Sequence, residues 1–195
     1  MNEQEKLLPP TVLENIQLDS EALGFKMACD PLTGSLLKTL AASKPGGMFL
    51  ELGTGTGMSA AWLLDGMDQD SKLISIENNI TVASVAKKYL GHDRRVEFQR
   101  QDAASWLNQV VNQKFDLIFA DAWVGKYSHL EQTLSLLSWG GLYVVDDMLP
   151  QPNWPSADHA TKVQELISAL ENTRDLVVTK MNWSSGIVIA TKVKR

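Results

Sequence analysis

Acidic residues stand at or just beyond the ends of several short apolar runs in this sequence. Glu51 lies in Met48 to Leu52, Glu77 follows Ile76, and Asp102 lies just past Val96 to Gln99. Asp121 follows Phe115 to Ala120, and Asp146 and Asp147 follow Leu142 to Val145. If these runs are parallel strands, their ends face the crevice where open α/β sheets bind ligands. Asp121, Asp146 and Asp147 would then converge, and three carboxylates in a small volume repel unless a cation or protons neutralise them. Hard oxygen donors of this kind suit Mg²⁺ or another divalent ion. The alternative is that Asp147 points to solvent while the other two cap loops.

The first acidic strand leads into Gly53-Thr54-Gly55-Thr56-Gly57-Met58-Ser59. Glycines at alternate positions give the backbone conformations closed to other residues and let a ligand approach the main chain. A dinucleotide fingerprint spaces its glycines G-x-G-x-x-G and leaves the helix N-terminus to a pyrophosphate. Here the spacing is G-x-G-x-G, and Glu51 precedes it by two residues. A carboxylate is a poor neighbour for a pyrophosphate and a good one for a cation. The sulfonium and ammonium of S-adenosylmethionine (SAM) suit it better than NAD(P) does, and no Gly-Lys-Ser/Thr follows to make a Walker loop. Glu77, with Asn78 beside it, is placed to accept from ribose hydroxyls, a feature that NAD would share. Asp102 can accept from an adenine amino group, with Ala103 leaving room for the ring, or it can cap the helix that follows.

Other candidates are weaker. His92, His129 and His159 lack zinc-ligand spacing, so core or surface roles are expected for the latter two. Cys29 is the lone cysteine and reads as a packing residue. Trp62, Trp106 and Trp139 look like core, whereas Trp123 and Trp154 fall in loops beside the acidic group and could wall an aromatic substrate. A formal charge of −5 speaks against a nucleic-acid partner, which needs clustered Lys and Arg. With one cysteine, no apolar run long enough to span a membrane and a polar start, a cytoplasmic protein without a membrane partner is expected.

The elements that must position these residues follow from periodicity. Residues 1–10 read as a loose arm. A helix from Thr11 should turn Val12, Leu13, Ile16 and Leu18 inward, and a second should open at Pro31, where proline fits the first turn. From Met48, strands at 48–52, 72–77, 96–99, 115–120 and 142–146 alternate with helical patterns, which predicts a parallel sheet with helices on both faces. The helix carrying Leu130, Leu134 and Leu137 leads to Gly140-Gly141, and Val163, Leu166, Ile167 and Leu170 mark a late amphipathic helix. The runs Leu176–Thr179 and Ile187–Val193 are too close for a crossover and must pair antiparallel. The expectation is one α/β domain over 1–195. Residues 1–45 form a helical cap and 46–195 a Rossmann-like core with a mostly parallel seven-stranded sheet closed by a C-terminal antiparallel hairpin.

With these residues in place, the chain resembles the class I SAM-dependent O-methyltransferases, and more closely the small catechol and caffeoyl-CoA O-methyltransferase-like family. The likeness covers about residues 25 to 193. Leu50 to Ser59 resembles the family's first motif, Phe119-Ala120-Asp121-Ala122 with Tyr127 its strand-four motif, and Met27 to Gly34 the segment before the first motif. Val145-Asp146-Asp147 stands where the family has an Asp-Asn pair. The resemblance implies a seven-stranded sheet with a reversed last strand and a divalent metal on Asp121, Asp146 and Asp147. Two departures matter. Asp147 replaces an amide ligand, and Val124 stands where the catechol branch places its lysine base, the nearest lysine being Lys126. The loop Leu149 to Pro155 is unusually proline-rich.

The expected reaction is in-line transfer of the sulfonium methyl to a hydroxyl of a small, aromatic-compatible acceptor, driven largely by alignment and assisted by a metal if one binds. Glu51, Gly53, Thr54, Gly55, Gly57 and Ser59 are assigned to the donor's methionine portion. Glu77 and Asn78 are assigned to its ribose, and Asp102 and Ala103 to adenine. Asp121, Asp146 and Asp147 hold metal or substrate. Asp121, also counted with the cofactor set, and Lys126 are the catalytic candidates, Lys126 for deprotonation or charge neutralisation. A non-catalytic nucleoside-binding module and an NAD(P)-dependent oxidoreductase are the rival readings. A homodimer is left open.

Overall fold

The computed structural model of the protein describes residues 7–151, 154 and 158–194. Two helices, α1 (Leu13–Ala22) and α2 (Pro31–Ala42), precede the sheet. Then follow β1 (Met48–Leu52), α3 (Met58–Gly66), β2 (Lys72–Ile76), α4 (Ile80–Leu90), β3 (Val96–Gln99), α5 (Ala103–Gln109) and β4 (Phe115–Ala120). A distorted turn, α6 (Trp123–Lys126), and the short α7 (Leu130–Ser135) lead to β5 (Leu137–Val145), α8 (His159–Asn172), β6 (Leu176–Met181) and β7 (Ile187–Lys192). Pro31 opens α2 behind an Asp30 cap whose carboxylate accepts from the Leu32 N–H at 2.8 Å, and Asn79 caps α4 in the same way. Such caps satisfy amide groups that a helix start leaves orphaned.

The strands form one sheet in the order β3-β2-β1-β4-β5-β7-β6. The first five pair parallel, and β7 runs antiparallel to both β5 and β6. The order reverses between β1 and β4, which opens the crevice expected of such sheets. Alternation along the strands sends residues to two cores. Phe49, Leu73, Leu117, Phe119 and Val144 pack under α1–α4, while Leu50, Leu52, Ile118, Tyr143 and Val145 pack under α5, α7 and α8. That parity puts Glu51 on the α3 side, directly opposite Ser75 of β2.

Several local expectations are corrected. Leu18 is exposed, because α1 turns Leu13, Ile16 and Ser20 inward instead. Strand five begins at Leu137, not 142, with a register shift against β4 near Gly140-Gly141. Trp139 therefore sits on an exposed edge, 55% accessible, under the Lys192 and Lys194 ammonium groups, and is not core. Residues 1–6 of the expected arm, and Pro152, Asn153 and Pro155 of the proline-rich loop, lie outside the described residues. No helix among the described residues is long and apolar enough to cross a membrane.

The two leading helices cover α3 and α4, and the link between them, Phe25 to Asp30, passes over the crevice. The close α2–α3 contact depends on Gly34, where a Cβ would lie 2.2 Å from the buried Trp62 ring. Alanine gains roughly 1 kcal/mol over glycine in helix propensity, but overpacking a filled core costs about 1–3 kcal/mol. Gly34→Ala is therefore expected to lower the urea unfolding midpoint; an unchanged or raised midpoint would show the helix pair to be loosely packed.

Candidate active site

The turn after β1 is fixed by its neighbours. The Gly53 and Thr54 N–H groups both donate to the last carbonyl of β2, Ile76 O, at 3.0 Å. Gly53 has φ +100°, and a Cβ there would meet the Asp121 carbonyl oxygen at 2.8 Å, so glycine lets the ends of β1 and β4 close together. Gly57, at φ +94°, leads into α3 where a Cβ would strike Ala86 of α4. On the rim, the Glu77 carboxylate accepts from the Gly55 N–H at 3.0 Å and from the Asn79 N–H at 2.9 Å.

Beneath the turn lies a fully buried acid. The Ser75 hydroxyl donates to Glu51 Oε2 and also meets the Thr54 hydroxyl at 2.5 Å, while Oε1 has no partner among the described residues. Burial pushes the Glu51 carboxyl up to about 7, against the pull of the Ser59 and Ser75 hydroxyls.

An open cavity of about 910 Å³ runs from this turn to the acidic group. Its walls include Gly53, Thr54, Gly55, Ser59, Glu77 and Asn78 at one end and Asp121, Lys126, Asp146 and Asp147 at the other. Gly57 forms the turn without being part of the wall. Glu51 is walled off behind Ser59, because its strand parity aims it under α3. Asp102 and Ala103 also lie outside the cavity wall, and the Asp102 carboxylate accepts from the Ser105 N–H and hydroxyl at 2.8 and 2.9 Å as the cap of α5.

Ligand oxygens of Asp121, Asp146 and Asp147 lie within 4.8 Å of one another, as the strand ends predict. Into this group comes the Lys126 ammonium, 6% exposed, 3.2 Å from Asp146 Oδ1 and 3.8 Å from Asp121 Oδ1, and donating also to the Asp146 carbonyl at 3.2 Å. Burial alone would lower the lysine pKa, but Asp146 and Asp121 more than reverse it, which favours the ammonium form. Burial and Asp146 raise the Asp121 and Asp147 carboxyls above the usual range, with Lys126 opposing. Asp147 takes φ +58°, a conformation Asp and Asn adopt more readily than other side chains, and its N–H donates to the Ser185 hydroxyl.

The turn that carries Lys126 is pinned. Buried Tyr143 donates its hydroxyl to Gly125 O at 2.5 Å, the Gly125 N–H donates to Ser128 O at 2.8 Å, and a Cβ at Gly125 would collide with Leu52. A divalent ion needs oxygens at about 2.0–2.6 Å. Bonded to the Asp146 oxygen that Lys126 holds, it would lie within about 6 Å of the ammonium and meet roughly 5 kcal/mol of repulsion at an effective dielectric near 20. The donor set thus has the right chemistry for a hard dication, but the cluster as arranged already holds the Lys126 ammonium, whose charge opposes one.

Beyond the acids stands an aromatic wall. Trp154 stacks on His159 with centroids 4.4 Å apart, Tyr127 Oη lies 3.0 Å from His159 Nε2, and Trp123 meets both rings edge-on. Burial and nearby Lys126 lower the His159 pKa, which favours a neutral imidazole. The loop tryptophans are where the sequence placed them. His159, expected in a core or surface role, lines the cavity instead; its only signal in the sequence is position, the first residue of α8 after the loop that holds Trp154. Ser184 and Ser185, in the β6–β7 turn, and Gln151 also line the cavity and carried no sequence signal.

The O-methyltransferase family matches residues 10–193 of the chain. A Mycobacterium ulcerans protein assigned by name to the O-methyltransferases is 32% identical over 175 residues, covering 85% of this chain and 78% of its own length. A similarly named Mycobacterium protein (strain KMS) is 32% identical over 126 residues, 60% of this chain, and the match spans only 56% of that relative's length. Among solved structures, the O-methyltransferase TomG from Streptomyces achromogenes, in complex with SAM, has a TM-score of 0.83 at 22% identity, covering 98% of this chain and 94% of TomG. The Bacillus cereus O-methyltransferase in complex with SAH has a TM-score of 0.82 at 21% identity, covering 95% and 93% of the two chains. At such identities the likeness is one of fold.

The buried Glu51 gives stability a pH dependence of definite sign. Its carboxyl ordinarily titrates at 4.5 and in the folded chain at about 7, so the folded state binds the proton more tightly. Stability from this source is full below pH 4.5 and is lost as pH rises through about 7, on the order of 3 kcal/mol in all. Glu51→Gln lacks that loss. Its unfolding free energy relative to the natural protein, measured in urea, is expected to rise between pH 5 and pH 8; a constant difference would refute the assignment.

Proposed function

The chain belongs to the O-methyltransferase family, and from that premise we propose that it moves the methyl group of SAM to a hydroxyl of a small, flat acceptor. The observation that carries the reading is a continuous crevice over β1 and β4, which joins a glycine turn to an acidic and aromatic pocket. SAM supplies a methyl group made electrophilic by the sulfonium. The residues present fit it: a turn that a Cβ would obstruct, and an acid beneath with one unpartnered oxygen. Gly53, Thr54, Gly55 and Ser59 bound the methionine portion, and Glu51 lies beneath them as a buried carboxyl group whose ionised form a cation in the turn would favour. Glu77, already oriented by the Gly55 and Asn79 amides, accepts from the ribose hydroxyls, with Asn78 beside it.

Asp121, one residue past β4, stands between the two halves. It orients the acceptor toward the methyl, and such alignment supplies much of the acceleration in a displacement of this kind. Trp123, Tyr127 and Trp154 flank the acceptor and favour an aromatic plane. His159, hydrogen-bonded to Tyr127 on the same cavity wall, takes up the acceptor's proton, since the paired acids favour the ammonium form of Lys126. The NAD(P) alternative loses its support, since the G-x-G-x-G spacing goes with this family. A binding-only domain is separated by experiment.

Isothermal titration with SAH is expected to show one site per chain, weakened by at least about tenfold in Glu77→Ala, the worth of a charged hydrogen-bond acceptor. Equal affinity in that variant would remove Glu77 from the donor site. With radiolabelled SAM and a panel of phenols, Asp121→Asn should cut transfer at least about 100-fold while leaving SAH affinity within roughly threefold, the pattern of a group acting in the transition state. SAH binding with no transfer to any phenol by the natural protein would favour the binding-only reading.

A further inference from the structure

The turn after β4 brings a positive charge where the resemblance implies a metal. Lys126 is five residues beyond Asp121, two past the position of the lysine in the catechol branch, and the chain between them decides where it points. Gly125 adopts φ +93° and is held by the Tyr143 hydroxyl and by Ser128, which turns the lysine stem inward. The ammonium contacts two of the three acids and the Asp146 carbonyl, and 6% exposure leaves it little access to solvent. The third acid, Asp147, is the residue that departs from the family's amide. The turn's lysine, displaced by two residues from the catechol branch's position, thus meets a cluster with one more carboxylate than the family's, and its ammonium offsets that added negative charge.

We propose that the Lys126 ammonium is the built-in cation of this site, standing in place of the divalent metal and holding Asp121, Asp146 and Asp147 together, so that the enzyme works without an added ion. The arrangement has a chemical consequence. An ammonium is a point charge with three donors and accepts no lone pair from an acceptor oxygen as a Lewis acid does. It orients the acids and favours an acceptor with a single hydroxyl over one that must chelate through two. The catalytic half of this inference rests on the methyl-transfer reading; the cation-site half does not.

The test uses the full chain and Mn²⁺ as the probe, with free Mn²⁺ followed by electron paramagnetic resonance. The natural protein is expected to show no saturable site tighter than about 1 mM, the weak end for oxygen-ligand sites, and methyl transfer unchanged by EDTA. Lys126→Met should gain one Mn²⁺ per chain, at least about 100-fold tighter than in the natural protein because the adjacent positive charge is gone. Asp146→Asn in that background should abolish the gain. One Mn²⁺ bound at micromolar concentration by the natural protein and lost in Asp146→Asn would overturn the proposal, as would transfer abolished by EDTA and restored by Mn²⁺. A folded Lys126→Met that takes up no Mn²⁺ would overturn it too. Should that variant not fold, the two measurements on the natural protein decide the matter. SAH titration of the same samples keeps the readings apart: no SAH binding defeats the methyl-donor reading, while the Mn²⁺ result still judges the cation site.

Discussion

The ends of β1 and β4 meet more closely than any residue with a side chain would allow. The Asp121 N–H donates to Leu52 O at 2.9 Å, and the Asp121 carbonyl fills the space that a Cβ on Gly53 would need. This contact lies where the strand order reverses, so helices leave the sheet to opposite faces on either side and a crevice opens. It sets the glycine turn on one lip and Asp121 on the other, at a separation fixed by backbone rather than by flexible side chains. Displacement at carbon demands a defined line through nucleophile, methyl and leaving atom, and a rigid seam is a sound base for one.

Around that seam the protein gathers several buried and half-buried charged groups, and each is handled differently. Glu51 has hydroxyl partners but no cation, and holds its proton to about pH 7. Asp146 and Asp121 have an ammonium, and Asp147 the Ser185 hydroxyl of the β6–β7 turn. Buried ion pairs add little net stability, because desolvation offsets much of their attraction, yet losing one partner is costly. The cluster is therefore better understood as fixing the geometry of the pocket than as holding the fold together, which two apolar layers do.

The N-terminal helices and the C-terminal hairpin complete the crevice from opposite directions. The Phe25–Asp30 link crosses from one side, and the Trp183 indole donates to Leu32 O at 3.0 Å from the other, bringing Ser184 and Ser185 over the cavity. Neither segment belongs to the repeating strand–helix core. Both line the cavity, the link at Phe25 lying against the glycine turn and the hairpin turn lying near the acids.

What the sequence by itself determined was the order of elements, the reversed last strand, the glycine turn and the row of acids at strand ends. These are local facts: a two-residue period, a hairpin too short for a crossover, glycines at alternate positions. It also placed Trp123 and Trp154 beside the acids. Only the tertiary structure decided which charges share a volume. Glu51 lies under the turn rather than in the cavity because strand parity and the packing of α3 close over it, and Asp102 spends its carboxylate on a helix cap. Lys126 enters the acidic group because of a left-handed glycine and a tyrosine hydroxyl from another strand. Trp139 faces outward because β5 starts five residues earlier than its apolar run suggests. The physical reason is common to all four: a side chain's direction depends on backbone torsions and on neighbours distant in the chain, and residue type and spacing record neither.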